Sequence, residues 1–155
     1  MLKNVFKFAG GAVAIAVLGI GALFAVDYLR YQNSPEYQAE MQAEQIKKEY
    51  AEDPYGGDTP EETLGLFVDA LKKGDIDLAA KYFVLDRQDQ WREDLEKIKD
   101  KGLLDEMVRD LEREKHKDRI NDNYFTFSIA NDQNEVALTI TITRGLNKKW
   151  KIQDL

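Results

Sequence analysis

Hydrophobic positions follow three different patterns along this 155-residue chain. The first pattern is one uninterrupted apolar run from Phe8 to Val26, which contains no charged side chain. After a polar stretch, apolar residues recur every three or four positions between Leu64 and Leu111, as they do on amphipathic helices. From Tyr124 onward they recur at every second position, as on strands with one buried face. The pattern therefore predicts an apolar N-terminal segment, then helices, then a small sheet.

The apolar run is long enough to cross a membrane. At about 1.5 Å per residue, a helix over residues 8–26 would be roughly 28 Å long, close to the ~30 Å apolar thickness of a bilayer. Lys3 and Lys7 precede the run and Asp27 follows it. Because positive charge favours the cytoplasmic side, the N-terminus is predicted to be cytoplasmic and the C-terminal domain extracytoplasmic. The protein would then be a single-pass protein of the cell membrane.

A cleaved signal peptide is the competing interpretation of this segment. The run is longer than the apolar part of a typical signal peptide, and Leu23 and Ala25 match a cleavage site poorly. Residues 1–30 are therefore interpreted as a transmembrane anchor, with the lipid bilayer as the partner of residues 8–26. Small-residue pairs such as Gly10 and Ala14 would also allow two such helices to approach closely.

A helical stalk and a linker are predicted over residues 31–58. Ser34 can cap a helix that has Pro35 at its first position, and the following residues, to about Glu52, are good helix formers. Its apolar stripe is thin, so the helix is either a solvated spacer or a surface that seats on a partner. The sequence Asp-Pro-Tyr-Gly-Gly-Asp over residues 53–58 predicts a turn or flexible joint at the domain boundary.

The domain is predicted to begin at Thr59. Thr59 can cap a helix that starts with a proline, and Glu62 at its third position completes a capping box. Gly74 ends this helix, and Asp75 or Asp77 caps a second one. The residues that these two helices are expected to bury are Leu64, Phe67, Val68, Leu71, Leu78, Ala79, Tyr82 and Phe83.

Two further helices are predicted on either side of Gly102. One apolar stripe cannot run through this position, because it would place Gly102 and Asp105 on the buried face. The third helix is marked by Trp91, Leu95 and Ile98, and the fourth by Leu104, Met107, Val108 and Leu111. The charged residues 112–118 that follow are predicted to form a solvated face and a loop.

Three strands are predicted from Tyr124 to the end of the chain. Turns at 131–134 and 145–149 would join them into an antiparallel meander with one apolar face against the helices. That face is expected to consist of Phe125, Phe127, Ile129, Val136, Leu138, Ile140, Ile142, Trp150 and Ile152. Helices first and strands last predict an α+β fold for residues 59–155.

The opposite face of the predicted sheet is polar but carries almost no charge. It is a candidate contact face for a homodimer or for another protein of the cell envelope. The alternative is a plain solvated face, since threonine is a good strand former. The residues proposed for the contact are Thr126, Ser128, Thr139, Thr141 and Thr143.

Three segments of the domain form a distinctive pattern of helix start and strand end: Thr59-Pro-Glu-Glu-Thr-Leu-x-x-Phe-Val-x-Ala-Leu-Lys-Lys-Gly-Asp75, Ala79-Ala-Lys-Tyr-Phe83 and Lys149-Trp-Lys-Ile152. This pattern resembles the small exported domains of the nuclear-transport-factor-2-like, or cystatin-like, superfamily. The resemblance implies a helical opening followed by a curved antiparallel sheet around a conical cavity. This chain differs in its longer charged helical middle and in having only three predicted strands, which argues against a full-sized pocket.

Charge and composition narrow the classes of function. The formal net charge is −7, and the two lysines before the apolar run make the remainder more acidic still. Such a domain would be repelled by a phosphate backbone, so nucleic-acid binding is not expected. The chain has no cysteine, which excludes disulfides, thiolate nucleophiles and cysteine-based zinc sites.

No residue pattern points to catalysis, a cofactor or a metal. The only histidine, His116, lies in a run of charged residues and is expected to be exposed. Asp75 and Asp77 are explained as helix caps, and the turn at 131–134 lacks the spacing of a calcium loop. The sequence is therefore interpreted as a non-catalytic, membrane-anchored interaction or assembly module. The alternative is a small-ligand-binding domain, including a degenerate enzyme, whose pocket is lined by Tyr82, Trp91 and Trp150.

Overall fold

The computed structural model describes residues 28–131 and 133–155, and a compact unit begins at Lys47 and extends to Leu155. The predicted transmembrane run, residues 8–26, lies outside the described residues. Within the described part of the chain, no helix combines the length and the apolar character needed to span a bilayer. Residues 28–32 are helical, and a turn at 33–34 separates them from the next helix.

Helix α1 covers Pro35–Glu52 and begins as the sequence predicts. The hydroxyl of Ser34 accepts a hydrogen bond of 3.2 Å from the backbone N–H of Tyr37, and Pro35 occupies the first helical position. None of the side chains of α1 is buried among the described residues. This exposure agrees with the interpretation of α1 as a solvated spacer.

Helix α2 covers Pro60–Lys72 and starts with a variant of the predicted capping box. The Thr59 hydroxyl accepts from the N–H of Glu62 at 3.1 Å, as predicted. The Glu62 carboxylate accepts in return from the N–H of Asp58 at 2.6 Å, one residue before the cap. The helix buries Leu64, Phe67, Val68 and Leu71, which are the four predicted core positions.

Three shorter helical elements and one longer helix complete the helical layer. Helix α3 covers Ile76–Lys81 and is capped by Asp75, followed by a 3-10 turn at Leu85–Arg87. Helices α4, Gln88–Asp100, and α5, Leu104–Glu112, are separated as predicted at Gly102, whose φ of 70° favours glycine.

The sheet has four antiparallel strands in the order β1-β2-β3-β4, one more than predicted. The strands are β1 Lys115–Arg119, β2 Tyr124–Ala130, β3 Val136–Arg144 and β4 Trp150–Asp154. Residues 112–118 are largely exposed, as predicted, but the prediction of a loop was wrong for residues 115–118, which belong to β1. A five-residue edge strand is held by backbone pairing with its neighbour, so it needs no alternation of apolar side chains.

The core lies between the helices and one face of the sheet. Phe127, Ile129, Ile140, Ile142 and Ile152 are all at most 2% exposed and lie on the predicted apolar face. Val136 was also predicted on this face, but it is 66% exposed at the start of β3. The α+β architecture is thus confirmed, with helices against one face of an antiparallel sheet.

Candidate functional site

The proposed contact residues lie together on the sheet face that points away from the helices. Successive side chains of a strand alternate between the faces, and the neighbours of these residues in sequence, such as Phe127 and Ile140, are buried in the core. Thr126 is directly opposite Thr141, and Ser128 is opposite Thr139. Thr139 is exposed, and the other four residues are half-buried. We call Thr126, Ser128, Thr139, Thr141 and Thr143 the threonine face.

Charged residues border the threonine face on both sides. On β1, His116 is paired with Ser128 and Asp118 with Thr126. The side chains of His116 and Asp118 are 76% and 73% exposed, which confirms the predicted exposure of the histidine. On β4, Lys151 is the register partner of Thr143. The middle of the face, on β2 and β3, is therefore polar and uncharged.

Lys151 is the least expected residue of the domain, because a lysine on the outer side of a strand is only 4% exposed. Its ammonium group lies 2.6 Å from the Asp53 carboxylate and donates a 2.7 Å hydrogen bond to the carbonyl of Lys81. It also lies 5.7 Å from the centre of the Tyr55 ring. Burial lowers the pKa of Lys151, and the hydrogen bond with Asp53 opposes this shift.

The linker at residues 53–58 is held against the sheet by several contacts. The backbone carbonyl of Asp53 accepts from the Asn147 side chain at 2.5 Å, and its carboxylate accepts from the N–H of Tyr55 at 3.0 Å. Gly57 forms a bridge with Trp150 and donates to the hydroxyl of fully buried Thr63 at 2.9 Å. The segment that the sequence predicts as a turn or flexible joint is thus tied to the domain.

A cavity of about 200 Å³ lies beside the Lys151–Asp53 pair. Its apolar lining comes from Val84, Leu85 and Leu146, and its polar lining includes both members of the pair. The ammonium of Lys151 already contacts a carboxylate, a backbone carbonyl and an aromatic ring. The pair therefore serves first to fasten the linker to β4, and the cavity offers a ligand mainly apolar contact.

The three proposed pocket aromatics lie in or against the core. Tyr82 and Trp150 are 7% and 8% exposed, and half-buried Trp91 stacks on Phe83 with ring centres 4.5 Å apart. Burial raises the pKa of the Tyr82 hydroxyl. None of the three lines the cavity beside Lys151, so an aromatic-lined ligand pocket remains a prediction.

A second concavity, of about 390 Å³, lies between α2, α5 and β1, and we call it the α2–β1 groove. Its apolar lining consists of Leu64, Val68, Leu111 and Phe127. Two ion pairs cross it, one between Lys117 and Glu61 at 3.3 Å and one between Lys72 and Glu112. The sequence could not indicate this groove, because β1 forms one of its walls and was predicted as a loop.

The described residues contain no group of three or more histidine, aspartate or glutamate side chains that could hold a metal ion. Comparisons with models of known families, with curated proteins and with solved structures find no match for this chain. The resemblance to the nuclear-transport-factor-2-like superfamily therefore remains a prediction. The threonine face, the Lys151–Asp53 pair and the α2–β1 groove are the features of the described residues that bear on function.

Proposed function

We propose that this chain is a membrane-tethered, non-catalytic assembly module that pairs with a second copy through its threonine face. The observation that supports this proposal is the lack of charge on the face of β2 and β3, in a chain in which 33% of residues are charged. The solvated face of an antiparallel sheet is polar, and in so charged a chain we would expect that face to include charged side chains. Small hydroxyl-bearing residues in matched cross-strand pairs instead leave a flat surface that another sheet can approach to about 10 Å.

Net charge favours this face over other surfaces for pairing of identical copies. The chain carries a formal net charge of −7, so two copies repel each other overall. Like charges placed across an interface are costly and suppress association. An uncharged face bordered by His116 and Asp118 avoids this repulsion. The two-strand width of the face indicates a small and weak interface.

The predicted anchor compensates for a weak interface. If residues 8–26 span the membrane, they hold the domains of different copies at one side of the bilayer and raise their effective concentration. The positive residues before this run favour an extracytoplasmic position for the domain. The cystatin-like arrangement belongs to the same proposal, and the observed order of helices followed by an antiparallel sheet supports it.

Cross-linking of single-cysteine variants tests this function in the full-length chain. The chain has no cysteine, so one introduced thiol is the only thiol present. We expect Thr141→Cys, in the middle of β3, to form a disulfide-linked dimer in membranes under mild oxidation. Gln90→Cys, on the exposed side of α4, is the matched control and should remain monomeric. Equal cross-linking of both variants, or of neither, would contradict the proposal.

A charge substitution gives an independent readout of the same interface. Thr139→Lys places a cation in the middle of the face, and two copies would then carry facing lysines. In reconstituted membranes, chemical cross-linking should show loss of the dimer for this variant. Gln90→Lys adds the same charge elsewhere and should leave the dimer intact.

The alternative function, a small-ligand-binding domain, is favoured by the cavity beside Lys151. Its apolar walls would accept a ligand of a few heavy atoms. Native mass spectrometry of the purified protein distinguishes the two functions. A monomer that retains an extra small mass supports ligand binding, whereas a dimer without extra mass supports assembly.

A further inference from the structure

The backbone of β1 leaves one row of hydrogen-bonding groups free for another strand. Ile120 donates to the carbonyl of Tyr124 at 3.1 Å, and Arg144 donates to the carbonyl of Asn123 at 2.9 Å. The backbone N–H and C=O groups of Tyr124 therefore face β1, and those of Asn123 face β3. Backbone direction alternates along a strand, so Thr126 and Ser128 also bond to β1.

The same alternation applies to β1 itself. Asp118 and His116, the partners of Thr126 and Ser128, direct their backbone groups to β2. Lys115, Lys117 and Arg119 must then direct theirs outward. Within residues 28–131 and 133–155, these outward groups have no backbone hydrogen-bond partner. Lys115 and Lys117 also line the α2–β1 groove, so the free edge runs directly beside this concavity.

Gly65 keeps this concavity open from the helix side. It lies in the interior of α2 and lines the groove, and a Cβ atom added there would meet no atom within 4 Å. A glycine inside a helix costs roughly 0.5–1 kcal/mol relative to alanine. Neither a positive φ nor a close neighbour explains this glycine. An occupant that needs the space would explain it.

The charges of β1 indicate the chemistry of the occupant. The groove is also lined by the acids Glu61, Asp69 and Glu112, and Glu112 pairs with Lys72. Its three side chains on the groove side are Lys115, Lys117 and Arg119, all basic. Lys117 pairs with Glu61 and Arg119 with Asp122. Half-buried Lys115 donates to the carbonyl of Arg113 at 2.9 Å. The nearby Glu112 attracts its charge, but no carboxylate of the described residues lies within ion-pair distance. Burial lowers the pKa of Lys115.

These basic residues distinguish between two kinds of added strand. A second copy of β1 would place lysines and arginine beside lysines and arginine, which is unfavourable across a strand pair. A strand with an acidic side chain opposite Lys115 would instead supply a direct ion-pair partner for this residue. Apolar side chains two residues away would reach the groove lined by Leu64 and Val68.

We propose that β1 and the α2–β1 groove bind an extended acidic peptide segment of another protein, added as a fifth strand of the sheet. This site is separate from the threonine face, because Lys115 and Lys117 project from the face opposite to that of His116 and Asp118. Peptide binding and dimer formation are measured independently, so either proposal can fail alone.

Fluorescence anisotropy with two labelled heptapeptides tests the site in the full-length protein in detergent. The acidic probe is Thr-Leu-Thr-Asp-Thr-Leu-Thr, and the matched probe has Lys in place of Asp. Non-specific attraction to a chain of net charge −7 would favour the lysine probe. We therefore expect the acidic probe to bind at least tenfold more tightly. Equal binding, a preference for the lysine probe, or no binding at millimolar concentration would overturn the proposal.

Three variants locate the bound peptide. Gly65→Leu fills the open space and should weaken binding of the acidic probe at least tenfold, whereas Gly65→Ala should change it less than threefold. Lys115→Gln should remove the preference for the acidic probe, and Lys101→Gln, on an exposed residue after α4, should not. Amide hydrogen exchange at Lys117 should slow when the probe binds. Binding that ignores Gly65→Leu and Lys115→Gln would overturn the assignment of the site.

Discussion

The two edge strands of the sheet, β1 and β4, differ in whether the rest of the chain covers their outer backbone groups. The edge of β4 is covered: Trp150 donates to the carbonyl of Gly57, and Ile152 donates to the carbonyl of Tyr82, both at 2.9 Å. Ile152 also accepts from Val84 at 2.9 Å. The edge of β1 has no such cover among the described residues, and its side chains are almost all exposed.

The covered edge of β4 contributes to the stability of the fold, whereas the free edge of β1 is available for binding. An uncovered edge invites pairing with other chains, and proteins usually cover it or blunt it with charge. Here the linker and the segment after α3 complete the hydrogen bonds of β4, and the Lys151–Asp53 pair fastens the linker in place. The β1 edge is blunted with lysines, which exclude a second copy while they remain compatible with an acidic strand.

The largest effect is expected from removing the acid that fastens the covered edge. Asp53→Ala leaves the Lys151 ammonium buried without a carboxylate. Breaking a buried ion pair on one side costs about 3–5 kcal/mol, because the remaining charge stays buried. Urea denaturation of the fragment Lys47–Leu155, followed by circular dichroism, should show a loss of this size.

A neighbouring exposed pair is the control for Asp53→Ala. Asp58 lies 2.7 Å from the ammonium of Lys149, and its side chain is 78% exposed. Asp58→Ala should leave the free energy of unfolding almost unchanged, because water screens exposed pairs. Similar losses for Asp53→Ala and Asp58→Ala would mean that the buried pair does not fasten the edge.

Proline substitutions in β1 test which backbone groups face outward. His116→Pro removes an N–H that we assign to β2, whereas Lys117→Pro removes one that we assign to the free edge. The loss of a ladder hydrogen bond should make His116→Pro about 1–3 kcal/mol more destabilising than Lys117→Pro. Chemical denaturation gives both values, and Lys117→Ala corrects for the lost contact with Glu61. If Lys117→Pro were the more destabilising variant, the outward-facing backbone groups would belong to His116 and Asp118 instead.

Two glycines, one at each edge, should respond oppositely to alanine. A Cβ at Gly57, beside β4, would lie 2.7 Å from the backbone nitrogen of Thr63, so Gly57→Ala should destabilise the fold by about 1–3 kcal/mol. Gly65→Ala, beside β1, meets empty space and should stabilise it by roughly 0.5–1 kcal/mol. Thermal melts of the two variants are sufficient to distinguish the signs. Destabilisation by Gly65→Ala would indicate an unseen packing role and weaken the argument for an open groove.

Helix caps and helix-ending glycines predicted the helices well, because each of them acts on backbone groups only a few residues away. Ser34 caps α1, Thr59 caps α2, Asp75 caps α3, and Gly102 separates α4 from α5. Alternation likewise placed the apolar and threonine-bearing residues of β2 and β3 on opposite faces. These features depend on neighbouring residues, so one sequence was sufficient.

Features that depend on distant residues could not be predicted in this way. Strand β1 is charged throughout and exists because β2 pairs with it, so its own sequence indicates a loop. Lys151 follows the alternation of a solvent-facing position, and only the return of Asp53 to β4 buries it. The α2–β1 groove requires α2, α5 and β1 at once. In the sequence, the alternation between Trp150 and Ile152 predicts a solvent-facing side chain at Lys151, and no neighbouring residue indicates its partner Asp53.

The smallest effect is a dependence on pH at the covered edge. Burial lowers the pKa of Lys151 from its ordinary value of 10.5, so between the folded and unfolded pKa values the unfolded chain holds more protons. Stability contributed by Lys151 should therefore rise as the pH increases toward 10.5. The measured quantity is the difference in unfolding free energy between the unaltered chain and Lys151→Met at a series of alkaline pH values, which cancels other titrations. A difference that falls with pH would show that the contact with Asp53 outweighs burial, and that covering β4 with a charged pair carries no electrostatic penalty.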